Sequence, residues 1–285
     1  MISRFTEKQK RSVVALAAMS AIAIAMGLGM SRARAAIRQS PTRPAAGRGG
    51  RRGFPGFTHP APINLNDHAG WIPLFNGENL DGWKGNPAVW HVADGAIVGI
   101  SSPQHPAGST NIFYAAHEYS NFMLQVQFKM IGEGANGGVQ YRSQNKAPAP
   151  MPFPAGRGLR GPGGQQISAA QIAQMQALAQ KNRQWAMMGY QADMDYRDMF
   201  TGQMYEQGTG RGIIAWPGDV VVAFEGQKPS LVAAAATPDQ IKTWIHVGGW
   251  NQYLIIADGH SMIHIINGHV TSILFEFRSP ARNMR

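Results

Sequence analysis

The sequence has no cysteine. No disulfide therefore frames the fold, and no thiolate serves as nucleophile or metal ligand. The chain also lacks a phosphate-binding P-loop, a dinucleotide fingerprint, an HExxH pair and an EF-hand-like loop. Its glycine-rich runs at 27–31 (GLGMS) and 156–164 (GRGLRGPGG) lack the strand-to-helix setting a phosphate site requires. Acidic residues are nearly missing at one end. Residues 1–60 hold 11 Lys/Arg and a single acid, Glu7, whereas residues 61–285 hold 15 of each sign. The formal net charge of +10 thus resides entirely in the first 60 residues. The remainder is neutral and carries no electrostatic footprint for DNA or RNA.

What is present at the N-terminus reads as a secretory leader over residues 1–35. Arg4, Lys8, Lys10 and Arg11 precede an apolar run from Ser12 to Met30, and Ala33-Arg34-Ala35 supplies the small residues of a cleavage site. The alternative is a membrane anchor, because a run of this length can just span a bilayer. The leader implies export to the periplasm or the extracellular space. Residues 36–69, rich in Arg, Gly and Pro and without apolar periodicity, are predicted to be a disordered tether.

From Gly70 onward, short apolar runs alternate with turn pairs. Val89–Ile100 is predicted to be a hairpin turning at Asp94-Gly95, and Phe122–Met130 alternates like a half-buried strand. Gly137–Ser143, Trp250–Gly259 and Met262–Phe277 continue the pattern, with turns at Asp258-Gly259 and Asn267-Gly268. Many short strands with regular turns predict an all-β sandwich of about residues 70–285. One insertion, about 146–188, interrupts it with a Pro/Gly loop and a helix. Ser168 and Gln171 form a capping box there, and Ile172, Met175, Leu178 and Trp185 make a narrow apolar stripe. That helix is either packed on the sandwich or a lid over a site.

The stretch GYQADMD (189–195) puts Gln191, Asp193 and Asp195 on one strand face and Tyr190, Ala192 and Met194 on the other. Like charges crowded on one face are costly unless something uses them. Gln140 and Arg142 share a face in the same way. Glu206 lies with Tyr205 and Arg211 in FTGQMYEQGTGRG, read as a glycine-rich loop. His264 shares its face with Met262 and Ile266, so a structural role competes with a chemical one. Trp83, Trp90, Trp244 and Trp250 are either core residues or stacking platforms for sugars. Arg142 opposite Asp193 is either a cross-strand ion pair or a functional contact. Spacing alone leaves open a hard cation such as calcium on Asp193 and Asp195.

Six stretches in order carry a resemblance: LFNGENLDGW, WHVADGAIVG, NGGVQYRS, GYQADMD, MYEQGTGRG and WNQYLIIADGHSMIHIINGHVTS. Over about residues 70–275 the chain resembles the 3-keto-disaccharide hydrolase domain family. That resemblance implies a concanavalin A-like jelly roll and a secreted glycosidase acting on sugars with a ketone at C3. The reaction implied is C2 proton abstraction, elimination of the C1 oxygen and hydration. Carried onto this sequence, Asp193 would be the base or a metal ligand, and Gln191 would orient the sugar. Glu206 would be the second acid or base and His264 a proton carrier or ligand. Arg142 would bind sugar oxygens or the enolate, with Gln140, Asn136, Tyr205 and Trp250 completing the substrate contacts. A divalent cation is compatible with this chemistry but not required by it. A non-catalytic, lectin-like module is the alternative function and a wall-associated scaffold a third. Family members finish with two further strands, whereas this chain stops at Arg285 after ILFEFRSPARNMR. The resemblance therefore implies an incomplete C-terminal edge, with a stability cost on the order of several kcal/mol.

Overall fold

The computed structural model describes residues 61, 63, 64, 66–102, 104–147, 166–225 and 227–277, with the backbone alone of 2–4 and 13–19. The chain divides into two compact units, Met1–Ala23 with Gly70–Arg285, and Ile24–Ala69. Most of the second unit, and with it most of the expected tether, lies outside the described residues. Its described end forms local turns, in which Asn64 Oδ1 accepts from the Asn66 N–H (3.1 Å) and Asp67 Oδ1 from the Ala69 N–H (3.0 Å).

The first unit is the expected sandwich, a jelly roll of the concanavalin A kind. One sheet, here the back sheet, has the order β1 (Ile2–Arg4), β7 (Phe122–Phe128), β14 (Asn251–Asp258), β15 (Ser261–Ile266), β16 (His269–Phe277), β12 (Asp219–Phe224) and β13 (Ser230–Ala234). The other, the front sheet, has the order β11 (Gly212–Ala215), β10 (Met204–Gln207), β9 (Met188–Asp195), β8 (Asn136–Gln144), β2 (Val13–Met19), β6 (Asn111–Tyr114) and β3 (Trp83–Gly85). The hairpin predicted at 89–100 is β4 (Trp90–Ala93) with β5 (Ala96–Gly99), turning through Asp94 and Gly95 at φ 50° and 72°. Strand β2 belongs to the segment read as a leader, and its backbone pairs with both β8 and β6. Cleavage after Ala35 would remove it from the sheet.

Alternation places the core. Phe122, Leu124 and Phe128 from β7, Tyr253, Ile255 and Ala257 from β14, and Tyr141, Tyr190, Ala192 and Met194 from the front sheet form one buried cluster between the sheets. Strand β16, the last described, pairs antiparallel with β15 and parallel with β12, so it has a partner along both edges. The incompleteness expected at the C-terminal edge concerns residues beyond Phe277, outside the described residues.

In the insertion, the capping box forms: Ser168 Oγ accepts from the Gln171 N–H (3.2 Å), and Gln171 Oε1 from the Ser168 N–H (2.8 Å). It starts α1 (Ala169–Lys181), which has no buried residue and leaves Met175 exposed. The helix is tied to the body at its C-terminal end, where Asn182 Nδ2 donates to the Ala107 carbonyl (2.6 Å) and Asn86 Nδ2 donates to Asn182 Oδ1 (3.2 Å). Most of the Pro/Gly loop, residues 148–165, lies outside the described residues.

Candidate active site

The strand β9 follows the period-two pattern closely. Tyr190, Ala192 and Met194 enter the core, and Gln191 and Asp193 face outward. Neighbouring strands extend that outer face. In register, Gln191 lies beside Gln140 of β8 and Tyr205 of β10. Gln191, Asp193 and Tyr205, with Ser109, Thr110, Asn136, Phe200, Gln203, Gln207 and Ile213, line a hollow of about 310 Å³, and Gln140 lies fully buried beneath it. That volume is at the lower end of small-molecule sites, on the order of 300–1,000 Å³.

A chain of amides organises the floor. Gln140 Nε2 donates to Gln191 Oε1 (3.0 Å) and to Gln207 Oε1, while Gln140 Oε1 accepts from Ser143 Oγ (3.0 Å). Gln191 Nε2 in turn donates to Asp193 Oδ1, and Gln203 Nε2 donates to Asp193 Oδ2. Both carboxylate oxygens are thus oriented by side-chain amides. Burial nevertheless pushes the Asp193 carboxyl up to about 7, outweighing the lowering by Gln203 and Gln191, with a further raising contribution from Asp195. Burial and the charge of Asp193 also raise the Tyr205 hydroxyl, keeping it a proton donor at neutral pH. Two buried oxygens of residues lining the hollow, Gln203 Oε1 and Thr110 Oγ1, have no hydrogen-bond partner among the described residues. Such groups are costly to bury unsatisfied, so they mark positions where a ligand hydroxyl would be accepted.

Gly138, beside Asp193 in the β8–β9 register, keeps this floor open. A Cβ there would lie 2.6 Å from Gln191 Cγ and 2.7 Å from the Ala192 carbonyl. Gly138→Ala is therefore expected to displace Gln191 from Asp193. Circular dichroism would show a folded chain, stability falling by about 1–3 kcal/mol, and kcat/KM for the substrate class proposed below falling by roughly 10²-fold.

The other residues singled out from sequence lie elsewhere. Glu206 is on β10 but on its core-facing side, opposite Tyr190, and binds Arg211 (Nε to Oε2, 2.5 Å), which also binds Glu276 (2.7 Å). Arg142 does not share the face of Gln140. A bulge between Tyr141 and Gln144, with Arg142 at φ 46°, breaks the alternation, and the guanidinium donates to the Ser120 and Gly259 carbonyls (3.1 and 2.7 Å) and to Asn121 (3.3 Å). It therefore makes no cross-strand pair with Asp193. Gly189 is required opposite that bulge, since at φ 147° a Cβ would meet Ser143 and the Arg142 carbonyl. His264 is fully buried between the sheets, contacting Tyr141 Oη (2.9 Å) and Ser272 Oγ (3.1 Å). Burial pushes its pKa down to about 3, so it is a neutral core histidine. Trp250 is 54% exposed and does not line the hollow. Trp90 is in a small core with Val89, Ala107 and Ile112, Trp83 bonds the Leu74 carbonyl (2.7 Å), and Trp244 stacks on His269 at 4.2 Å.

Asp195 also leaves the constellation. Its carboxylate caps the turn after β9, accepting from the Met199, Phe200 and Thr201 N–H groups (3.2, 2.9 and 3.0 Å) and from Thr201 Oγ1 (3.0 Å). Asp193 faces the hollow instead, so a calcium ion shared by the two does not fit this geometry. Among the described residues no group of three or more His, Cys, Asp or Glu is placed to hold a metal. Nor is any described helix long and apolar enough to cross a membrane. Gln203, Gln207, Ser109, Thr110 and Phe200 complete the hollow without having been singled out. Gln203, Tyr205 and Gln207 alternate in sequence, which is the signal that could have found Gln203 and Gln207.

A family model described as a 3-keto-alpha-glucoside-1,2-lyase-like domain matches residues 70–285. A curated relative from Bacteroides thetaiotaomicron, named 3-keto-disaccharide hydrolase, is 33% identical over 87 residues. The matched stretch covers 27% of this chain and 29% of that protein.

Proposed function

This chain belongs to the 3-keto-alpha-glucoside-1,2-lyase-like domain family, and from that premise we propose that it cleaves glycosides whose sugar carries a ketone at C3, with Asp193 as the base. The ketone acidifies the C2 hydrogen. The Asp193 carboxylate takes that proton, and the C2–H electron pair forms the enolate of the C3 carbonyl. The enolate then restores the ketone by forming a C1–C2 double bond, and the C1–O bond breaks toward the leaving group. The leaving oxygen takes a proton, for which the Tyr205 hydroxyl is the phenol lining the hollow. Water adds at C1 and a proton returns to C2, so the sum is hydrolysis. Neither nucleophilic attack on an intact acetal nor a second carboxylate is needed, which accords with a hollow whose lining holds one carboxylate among the described residues.

The observation that carries the reading is the state of Asp193. A base works best with a pKa near the working pH, and burial holds this carboxyl at about 7. Gln203 Oε1 and Thr110 Oγ1 supply acceptors for sugar hydroxyls, while the amide donors of the floor suit developing negative charge.

The test is turnover of 3-keto-trehalose in deuterated water. Release of glucose and 3-keto-glucose is expected, with deuterium at C2 of the keto sugar at early times and kcat/KM rising as pH passes through about 7. Product that keeps its C2 hydrogen would mean direct hydrolysis and would overturn the mechanism. Equal binding of trehalose and its 3-keto form without any product would favour a lectin-like module.

A further inference from the structure

A second, larger groove, lined by Glu206 of the core-facing side, meets the hollow around the edge strand β11. It measures about 880 Å³ and shares Ile213 with the hollow as a lining residue. The two are also linked through a pair of rings: Phe200 of the hollow meets Trp216 of the groove with centroids 6.3 Å apart. We propose that this groove is a carbohydrate subsite that holds the leaving half of the glycoside, with Trp216 as its stacking platform.

Trp216 directly follows the edge strand β11, and 52% of it is exposed although it is a large aromatic. An indole face left open beside polar groups suits the C–H face of a sugar ring. The polar groups are already fixed. Arg211 holds Glu206 and Glu276, each with a side chain no more than about a tenth exposed. Each carboxylate oxygen has more than one lone pair, so both acids can accept sugar hydroxyls while keeping Arg211. Lys228 adds a donor, and Phe224, 50% exposed, adds apolar surface. Alternating aromatic faces and rigid hydrogen-bonding groups in an open groove suit a neutral polyhydroxyl ligand better than a lipid or an anion. The small volume of the hollow supports the same division. It leaves the second ring of a disaccharide to be placed elsewhere, and the groove adjoins it across one side chain.

The assignment of a leaving group to this groove rests on the function proposed above, so the experiment reads the two separately. Trp216→Ala would be compared with wild type on 3-keto-trehalose and on methyl 3-keto-α-glucoside, whose leaving group is only methanol. A rise of about tenfold in KM for the disaccharide, with less than twofold change for the methyl glycoside, is the expected result. Equal effects on both substrates, or none on either, would overturn the subsite. Saturation-transfer NMR with plain glucose and trehalose needs no turnover. Signals present in wild type and lost in Trp216→Ala support the groove even if neither keto substrate reacts, an outcome that would instead defeat the proposed function. Signals unchanged by the substitution, or absent from both proteins, overturn the groove.

Discussion

Asp193→Asn is expected to lower kcat/KM on a 3-keto-disaccharide by about 10²–10⁴-fold, the range for loss of a positioned general base. At alkaline pH the same change is expected to make the protein more stable. The carboxyl titrates at about 7 in the fold against an ordinary value of 3.8. Between those values the native state holds a proton that the unfolded chain has lost. Wild-type stability therefore falls as pH rises from about 4 to about 7 on this account, and the contribution is flat above that window. The difference corresponds to at most about 4 kcal/mol. Asparagine carries no charge to bury, and Gln203 can turn its unpartnered Oε1 toward the new Nδ2. Thermal melts at pH 8 and kinetics on the same preparation check the pair of effects. Lost activity with gained stability is the signature of a group retained for chemistry. Lost activity with lost stability would mean that Asp193 is structural.

Arg211→Met is expected to be the most destabilising single change among the ion pairs. Arg211 ties β10 of the front sheet, through Glu206, to β16 of the back sheet, through Glu276. Its guanidinium also reaches the Tyr190 hydroxyl (3.3 Å) and lies over the Tyr190 ring, 5.9 Å from its centroid. Both carboxylates are largely buried, and removing the cation between them costs about 3 kcal/mol by analogy with other broken buried networks. For a domain of this size that lowers Tm by roughly 6–12 °C. Replacing all three by Glu206→Gln, Arg211→Met and Glu276→Gln is expected to recover much of the loss, because the cost lies in leaving the acids without their cation. A Tm for Arg211→Met within 2 °C of wild type, measured by calorimetry, would show that the network is loosely solvated and does not tie the sheets together.

The hollow was legible in the sequence wherever a strand kept its alternation, and hidden wherever a strand bent or a loop supplied the side chain. Gln191, Asp193 and Gln140 lie on the outer face because β9 and β8 are regular there. Arg142 is only two residues from Gln140 but crosses a bulge, and no local residue pattern announces a φ of 46° at an arginine. The glycines of FTGQMYEQGTGRG suggested a loop, although residues 204–207 form β10. Taken as a strand, the segment would have sent Glu206 inward with Met204, and Tyr205 and Gln207 outward. Asp195 keeps the alternation, but the strand ends at it, and its carboxylate is taken by the turn that follows. Ser109 and Thr110 arrive from a distant loop before β6, a contact made only by tertiary folding. His264 is the reverse case: its neighbours Met262 and Ile266 already pointed to the core in which it is buried.

The parallel pairing of β12 with β16 constrains the order in which the back sheet can form. The chain emits β12 and β13 some forty residues before the strand they dock on. Until residues 269–277 arrive, that ribbon has only itself for company, and Val221 and Ala223 of β12, buried in the finished fold, stay in water. An isolated two-stranded ribbon is marginal at best, and such a segment is open to wrong partners while it waits. Nascent chains arrested before His269 should therefore be prone to clump, and a holdase covering 219–234 would act during that interval rather than on the finished fold.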